Sequence, residues 1–121
     1  MSRPARVSVA RDGELVMVAV TGDIDMANAA ELEGTILEAV PNDAAGLVFD
    51  ASELTYLDSS GVRLLLSVAA RLRWRGLGFV LVASAGSRCP RVLSLAGVDG
   101  AFSVEAATGD ASARLRADLS E

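Results

Sequence analysis

Short apolar runs alternate with longer stretches of helical spacing along this chain. The first two runs, residues 7–11 and 14–21, flank an Asp-Gly pair, and Asp-Gly between apolar runs is a strong signal for a β-hairpin. Residues 46–50 and 79–83 are apolar without alternation, which is typical of strands covered on both faces. With a short strand near residues 101–104, the pattern predicts a hairpin followed by three further strands.

Four helices are predicted between and after these strands. Apolar residues recur at helical spacing over residues 26–39, and Asp25 is placed to accept hydrogen bonds from the first free amides. Residues 61–75 form a longer amphipathic pattern with a basic outer edge. The last two helices are predicted over about 90–96 and 107–119.

Strands that alternate with helices after a hairpin indicate an α/β fold, with a mixed, mainly parallel sheet and one antiparallel edge. The chain has 121 residues, of which 51% are hydrophobic and 22% charged. A single core commonly forms at about 100 to 150 residues. We therefore expect one domain over residues 1–121, with a core from about 7 to 119, a sheet of about five strands and about four helices.

The composition excludes several kinds of enzyme. The chain has no histidine, so Ser-His-Asp and Cys-His catalytic units and His-ligated metal sites are ruled out. All eleven basic residues are arginine. A Walker phosphate loop and a receiver-type phosphorylation site around Asp50 both need a lysine, so both kinds of site are excluded. Cys89 lacks the arginine six positions on that a phosphatase cradle needs, because that residue is Leu95. We expect no catalytic residue, no metal site and no cofactor.

Charge and hydropathy limit the partners and the compartment. The net charge is −5 and the isoelectric point is near 4.7, whereas nucleic-acid binding requires basic surface. No apolar run approaches the roughly 20 residues needed to cross a bilayer, and the start of the chain does not resemble a targeting segment. Cys89 is the one cysteine of the chain and cannot form an intrachain disulfide, so nothing in the sequence indicates an oxidising compartment. The expectation is a cytoplasmic protein without direct nucleic-acid contact or membrane insertion.

The most informative segment is Asp-Ser-Ser-Gly at residues 58–61, directly before the long amphipathic helix. Asp and Ser at such a position accept hydrogen bonds from the first-turn amides, and this capping role alone would explain them. Free amides and the helix dipole also favour anions, including a phosphate on one of the serines. From the residues alone, Ser60 could be the cap and Ser59 the acceptor, or the reverse.

Several motifs together make the chain similar to the STAS family, in particular to the small bacterial anti-sigma factor antagonists. They are Gly-Asp-Ile-Asp at residues 22–25, Asp50 at the end of an apolar strand, Leu-Thr-Tyr-Leu at 54–57, the Asp-Ser-Ser-Gly turn at 58–61, and Leu-Ala-Gly-Val at 95–98. Their order and spacing agree with the family over nearly the whole chain.

The resemblance implies a function controlled by phosphorylation. In that family the serine directly after the aspartate, here Ser59, is phosphorylated by an anti-sigma factor with serine-kinase activity. The unmodified antagonist binds the anti-sigma factor and releases a sigma factor, and a phosphatase restores it after modification. Asp25 matches an acidic residue that engages the kinase. The expected partner surface also includes Asp23, Asp58, Ser60 and Gly61.

The outer edge of the long helix supplies secondary candidates for partner binding. Arg63 and Ser67 lie on it with Arg71, and Trp74 lies at its far end; arginine and tryptophan are common interface anchors. The alternative is that the arginines are solvated and that Trp74 covers the end of the core. Arg63 also stands where many members of the family carry a second glycine, which is expected to affect the choice of partner.

Two other functions are compatible with the same fold. The domain could be a constitutive accessory or scaffold subunit of a transport ATPase or of a sensory complex, in which case Ser59 would be only a cap. A nucleotide-responsive domain is the third possibility, although the chain has no glycine-rich phosphate loop.

Overall fold

A computed structural model describes residues 3–84 and 86–119 and forms a three-layered α/β arrangement over them. The strands among these residues are β1 Arg6–Asp12, β2 Leu15–Ile24, β3 Gly46–Asp50, β4 Leu54–Leu57, β5 Gly78–Val82 and β6 Val104–Glu105. The helices are α1 Ala29–Glu38, α2 Ser59–Trp74, α3 Arg88–Leu95 and α4 Thr108–Leu119, with a 3₁₀ turn at Asp99–Ala101.

The sheet is mixed and mainly parallel. Its strands lie in the order β1-β2-β3-β5-β6; β1 pairs with β2 antiparallel, and every other pair is parallel. β4 lies off this path and pairs only with the end of β2, where Gly22 is opposite Leu54 and Ile24 is opposite Leu57. The predicted α/β class, the hairpin and the single antiparallel edge are confirmed.

The structure differs from the sequence-based prediction at a few elements. Residues 54–57, where the apolar pattern predicts no strand, form the sixth strand β4. The first helix begins at Ala29 and not near residue 26, because the chain makes a turn after β2. Asp25 therefore does not cap α1; its carboxylate accepts a hydrogen bond from the Ala27 amide within that turn.

Helices cover the two faces of the sheet unequally. α1, α2 and α3 pack on one face and form the larger core, which includes Ile36, Leu65 and Leu93. On the other face α4 alone packs through Ala111 and Leu115. Cover on both sides accounts for the uninterrupted apolar runs in β2, β3 and β5.

Leu115 of α4 is seated on two glycines of neighbouring strands. A Cβ atom at Gly46 would lie 2.7 Å from Leu115 Cδ2, and one at Gly78 would lie 2.3 Å from Leu115 Cδ1. These distances are too short for non-bonded carbon atoms, so the absence of side chains at Gly46 and Gly78 makes room for Leu115. The last helix is thereby fixed to the centre of the sheet.

We expect Leu115→Ala to lower the free energy of unfolding by about 2–5 kcal/mol, since it leaves a cavity over Gly46 and Gly78 that the sheet cannot close. The measurement is urea denaturation followed by far-UV circular dichroism. Leu95→Ala is the matched control, because Leu95 is 78% exposed and its loss should change stability by less than about 0.5 kcal/mol. Equal losses in the two variants would contradict the role given to Leu115.

Candidate functional site

The pairing of β2 with β4 brings the two predicted functional segments to one edge of the sheet. Ile24, the last residue of β2, is opposite Leu57, the last residue of β4, and the strands run parallel. The turn that starts at Asp25 and the helix start at Asp58 therefore leave the sheet side by side. We call residues 58–61, which form the N-cap and first turn of α2, the serine loop.

Asp58 is the N-cap of α2. Its Oδ1 accepts hydrogen bonds from the amides of Ser60 at 2.8 Å and Gly61 at 3.3 Å, and its backbone is extended. Neither serine is therefore the cap, and which serine accepts a phosphate stays a prediction. Ser59 is exposed, and its hydroxyl makes no hydrogen bond with another described residue. The serine at the first position of α2 is thus sterically and chemically accessible.

Gly61 allows α2 to begin close to the strand ends. The residue is buried, and a Cβ atom there would lie 2.1 Å from Leu57 Cδ1 and 3.2 Å from Ile24 Cγ2. Packing against Leu57 and Ile24 therefore explains why residue 61 is a glycine. A direct contact between Gly61 and a partner remains a prediction.

The two predicted acidic residues differ in their surroundings. Both carboxylate oxygens of Asp23 are engaged within the protein: Oδ1 accepts from Thr55 Oγ1 at 2.5 Å and Oδ2 from the Arg3 amide at 2.8 Å. The hydrogen bond from Thr55, followed by that from Arg3, lowers the pKa of Asp23. Asp23 therefore joins the end of β2 to β4 and to the start of the chain.

Asp25 has more freedom to meet a partner. One of its carboxylate oxygens accepts from the Ala27 amide at 2.9 Å, and its other oxygen makes no hydrogen bond with a described residue. The turn around it is held by Asn28, whose side chain donates to the Asp23 carbonyl at 2.8 Å and accepts from the Asp25 amide at 3.0 Å. The sequence did not predict site roles for Asn28 and Thr55. Asn28 carries a recognisable signal, because it is a cap-type residue just before a stretch of helical apolar spacing.

A groove lies between the beginnings of α1 and α2, next to the serine loop. It has a volume of about 250 Å³, and its lining includes Met26, Glu33, Ser60 and Arg63. Met26 is 84% exposed, so one apolar side chain that lines the groove is left without cover. Ser60 and Arg63, two of the predicted partner-binding residues, share this α1–α2 groove.

The predicted docking edge of α2 is partly engaged with α1. Ser67 Oγ donates to Glu33 Oε2 at 3.1 Å, and Arg71 Nε lies 3.5 Å from the same oxygen. These contacts hold the two helices side by side. Trp74 is 91% exposed, so the alternative that it covers the end of the core is wrong. Leu72, two residues earlier, is buried in the larger core.

Outside the serine loop and its surroundings, the described residues offer few groups suited to catalysis or metal binding. Cys89 is fully buried in the larger core, and burial raises the pKa of its thiol to about 11, which makes it unreactive at neutral pH. Residues 3–84 and 86–119 contain no group of three or more Cys, Asp or Glu side chains placed to hold a metal ion. None of the helices in this part of the chain combines the length and apolarity required to span a bilayer.

The fold and the serine loop define a STAS domain, and comparison with known proteins agrees. The family model described as "Mlab, STAS domain" matches residues 7–106. The chain belongs to the STAS family.

Particular relatives are anti-sigma factor antagonists. The anti-sigma-F factor antagonist RsfB of Mycobacterium tuberculosis is 31% identical over 110 residues, which cover 91% of this chain and 88% of that protein. The crystal structure of an anti-sigma factor antagonist from Mycobacterium paratuberculosis superposes with a TM-score of 0.82 at 30% identity, over 96% of this chain and 99% of that one. Phosphorylated SpoIIAA of Bacillus shares the fold, with a TM-score of 0.67 at 20% identity over 90% of this chain and 98% of its own.

The capping geometry predicts which side chain of the serine loop matters for stability. Asp58→Ala should lower the free energy of unfolding by about 0.5–2 kcal/mol, because the amides of Ser60 and Gly61 lose their acceptor. Asp58→Asn retains an acceptor and should recover most of the loss. Urea denaturation measures both. Ser59→Ala is the neighbouring control and should be close to neutral; a loss equal to that of Asp58→Ala would contradict the assignment of the cap.

The lowered pKa of Asp23 predicts a pH-dependent contribution to stability. A carboxyl whose pKa is lower in the folded state stabilises the fold above its unfolded pKa of about 3.9 and loses that contribution as pH falls through the folded pKa. Asp23→Asn should therefore be less stable than wild type at neutral pH, by a difference that shrinks progressively below about pH 4.

Thermal unfolding between neutral and acidic pH measures this difference. Thr55→Val provides the control, since it removes the hydrogen bond that contributes most to the lowered pKa of Asp23. In the Thr55→Val background, Asp23→Asn should produce a smaller pH-dependent difference. If the stability difference between wild type and Asp23→Asn did not change with pH, the contacts of Asp23 would not favour its charged form over its protonated form.

Proposed function

We propose that the chain is an anti-sigma factor antagonist whose binding to an anti-sigma factor is switched off by phosphorylation of Ser59. It acts as a regulatory binding protein in the cytoplasm and not as an enzyme. The observation that carries the proposal is the exposed hydroxyl of Ser59, which stands at the start of α2 beside the Asp25 turn and the α1–α2 groove. The two mycobacterial relatives, both anti-sigma factor antagonists, support it.

The unmodified surface offers a partner three kinds of contact. The free carboxylate oxygen of Asp25 can accept a hydrogen bond, Met26 can be covered by an apolar side chain, and Arg63 can pair with an acidic group. The Ser59 hydroxyl lies beside them and is small enough for close approach. An interface of this kind has an apolar centre and a polar rim, as specific complexes commonly do.

An anti-sigma factor with serine-kinase activity would modify this same surface. In the transfer, the Ser59 oxygen forms a bond to the γ-phosphorus of ATP, the bond to the β-phosphate oxygen breaks, and the hydroxyl proton passes to a base of the kinase. The chain contributes an accessible acceptor, and Asp25 positions the enzyme. A phosphatase acting on phosphoserine reverses the modification by hydrolysis.

The added phosphate would change the surface through its charge. Phosphoserine carries about −1.5 to −2 charges at neutral pH, and here Asp58 and Asp25 lie nearby on the same edge. The amides of Ser60 and Gly61 already donate to Asp58, so the helix start does not have them free for the phosphate. The phosphate would therefore project toward a partner and repel acidic groups there.

Arg63 adds a second effect to the switch. It lies four residues after Ser59 on α2, and residues with this spacing are neighbours on a helix surface. A guanidinium pairs strongly with a phosphate, and Arg63 makes no ion pair with another described residue. Phosphorylation would draw Arg63 from the α1–α2 groove toward Ser59, so that both the serine loop and the groove change at once.

The proposal is tested by incubating the chain with candidate anti-sigma kinases and ATP and mapping the product by mass spectrometry. Phosphate should appear at Ser59, should be absent from Ser59→Ala, and should persist in the matched variant Ser60→Ala. Phosphorylation should weaken binding to the same kinase by more than about a hundredfold, which corresponds to about 3 kcal/mol. Ser59→Asp should weaken it in the same direction.

Three results would count against the proposal. Labelling that persists in Ser59→Ala would place the modification elsewhere, and equal affinity of the modified and unmodified chains would remove the switch. A chain recovered from cells in a permanent complex, with Ser59 never modified, would favour the scaffold function instead. In each case circular dichroism of the variants confirms that the fold is retained.

A further inference from the structure

The far end of α2 carries an exposed aromatic side chain that the serine loop does not explain. Trp74 is the only tryptophan of the chain and is 91% exposed. It lies fifteen residues after Ser59, which places it about 22 Å away along the helix axis. A large apolar side chain so fully in water is unusual, since tryptophan is highly buried on average. No packing role within the described residues accounts for it.

Three arginines surround Trp74 within five positions of the sequence. Arg71, Arg73 and Arg75 represent three of the eleven basic residues in a chain whose net charge is −5. Arg73 makes no ion pair within the part of the chain that the structure describes. Arg75 donates to neutral acceptors, the Val40 carbonyl at 2.8 Å and Asn42 Oδ1 at 3.1 Å, so its charge is not neutralised.

Among the described residues, a carboxylate lies within ion-pair distance of only one of these three arginines. Arg71 lies 3.5 Å from Glu33 Oε2, an oxygen that Ser67 also contacts. Cations at the end of a helix are favoured by its dipole, which explains the arginines in part but gives no reason for an exposed indole among them. We call Trp74 with Arg71, Arg73 and Arg75 the Trp74 patch.

We propose that the Trp74 patch is a docking site for an acidic segment of a protein partner, separate from the surface around Ser59. Uncompensated positive charge favours carboxylates, and Trp and Arg are the residues most enriched among energetic hot spots of interfaces. The indole would be covered by an apolar side chain of the same segment. Because the patch and the serine loop lie at opposite ends of α2, a partner can occupy the patch whether or not Ser59 carries a phosphate.

The structure disfavours other polyanionic partners. Interfacial helices insert a whole apolar face into lipid, whereas the apolar face of α2, including Leu65 and Leu72, is buried in the core. Trp74 alone would remain to insert. Nucleic-acid binding draws on many cationic contacts along the phosphates, and the patch offers three in an otherwise acidic chain.

The single tryptophan makes the proposal directly measurable. The probe is a synthetic peptide of Glu, Asp and Leu without aromatic residues, added to the full chain while Trp74 fluorescence is recorded. The emission should shift to shorter wavelength and become protected from iodide and acrylamide quenching. Raising the ionic strength from about 0.01 M to about 1 M should abolish the shift, since the screening length falls from about 30 Å to about 3 Å.

Variants separate the patch from general electrostatics. With a dye-labelled form of the same peptide, anisotropy should show that Trp74→Ala weakens binding by about thirtyfold or more and that Arg73→Glu weakens it roughly threefold to tenfold. The matched control is Arg91→Glu, a charge reversal at an exposed arginine of α3, which should have little effect. Ser59→Glu should also bind normally, so failure of the phosphorylation switch would leave this result unchanged.

Several outcomes would overturn the proposal. They are the absence of any fluorescence shift, an equal shift with a peptide in which Gln and Asn replace the acids, or unaltered binding by Trp74→Ala. A shift with vesicles of phosphatidylglycerol but not with the peptide would assign the patch to anionic lipid. A shift that grows with protein concentration alone would assign it to a second copy of the chain.

Discussion

The parallel pairing of β4 with the end of β2 is the interaction on which the site depends. It is short, with Ile24 opposite Leu57 at its end, yet it determines that the Asp25 turn and the serine loop emerge together. Thr55 strengthens it by donating to Asp23 across the two strands. Gly61 then lets α2 start directly above the paired residues. A surface assembled from segments more than thirty residues apart thus rests on four residues of strand.

The sequence predicted the parts of the fold that local physics determines. Asp-Gly between apolar runs specified the hairpin, and apolar runs without alternation specified strands covered on both faces, as β3 and β5 are. β4 was missed because its four residues have too little length for an apolar pattern and obtain their strand conformation from β2. The hydrogen bond between Asp23 and Thr55 was not predicted either, because it joins residues 32 positions apart and no local pattern indicates it.

The sequence named candidate site residues, and the structure shows what each of them contacts. Pattern and resemblance identified the serine loop, yet only the structure assigns the cap to Asp58 and leaves the Ser59 hydroxyl free. It also separates Asp23, whose oxygens are both engaged, from Asp25, which keeps one available. Trp74 illustrates the limit of helical periodicity, which fixes the direction of a side chain and not whether another element covers it.

The contacts around Glu33 bear on how a phosphate could act without reshaping the domain. Ser67 and Arg71 both approach the same Glu33 oxygen and hold α1 against α2, while Asp58 retains the first-turn amides of α2. Neither set of contacts includes Ser59, so neither would have to break under the phosphorylation that we propose for its hydroxyl. A switch built this way works through the charge and shape of an exposed surface, and its effect depends on what a partner places opposite that surface. In the proposed switch the fold serves as a fixed frame for both forms of the surface.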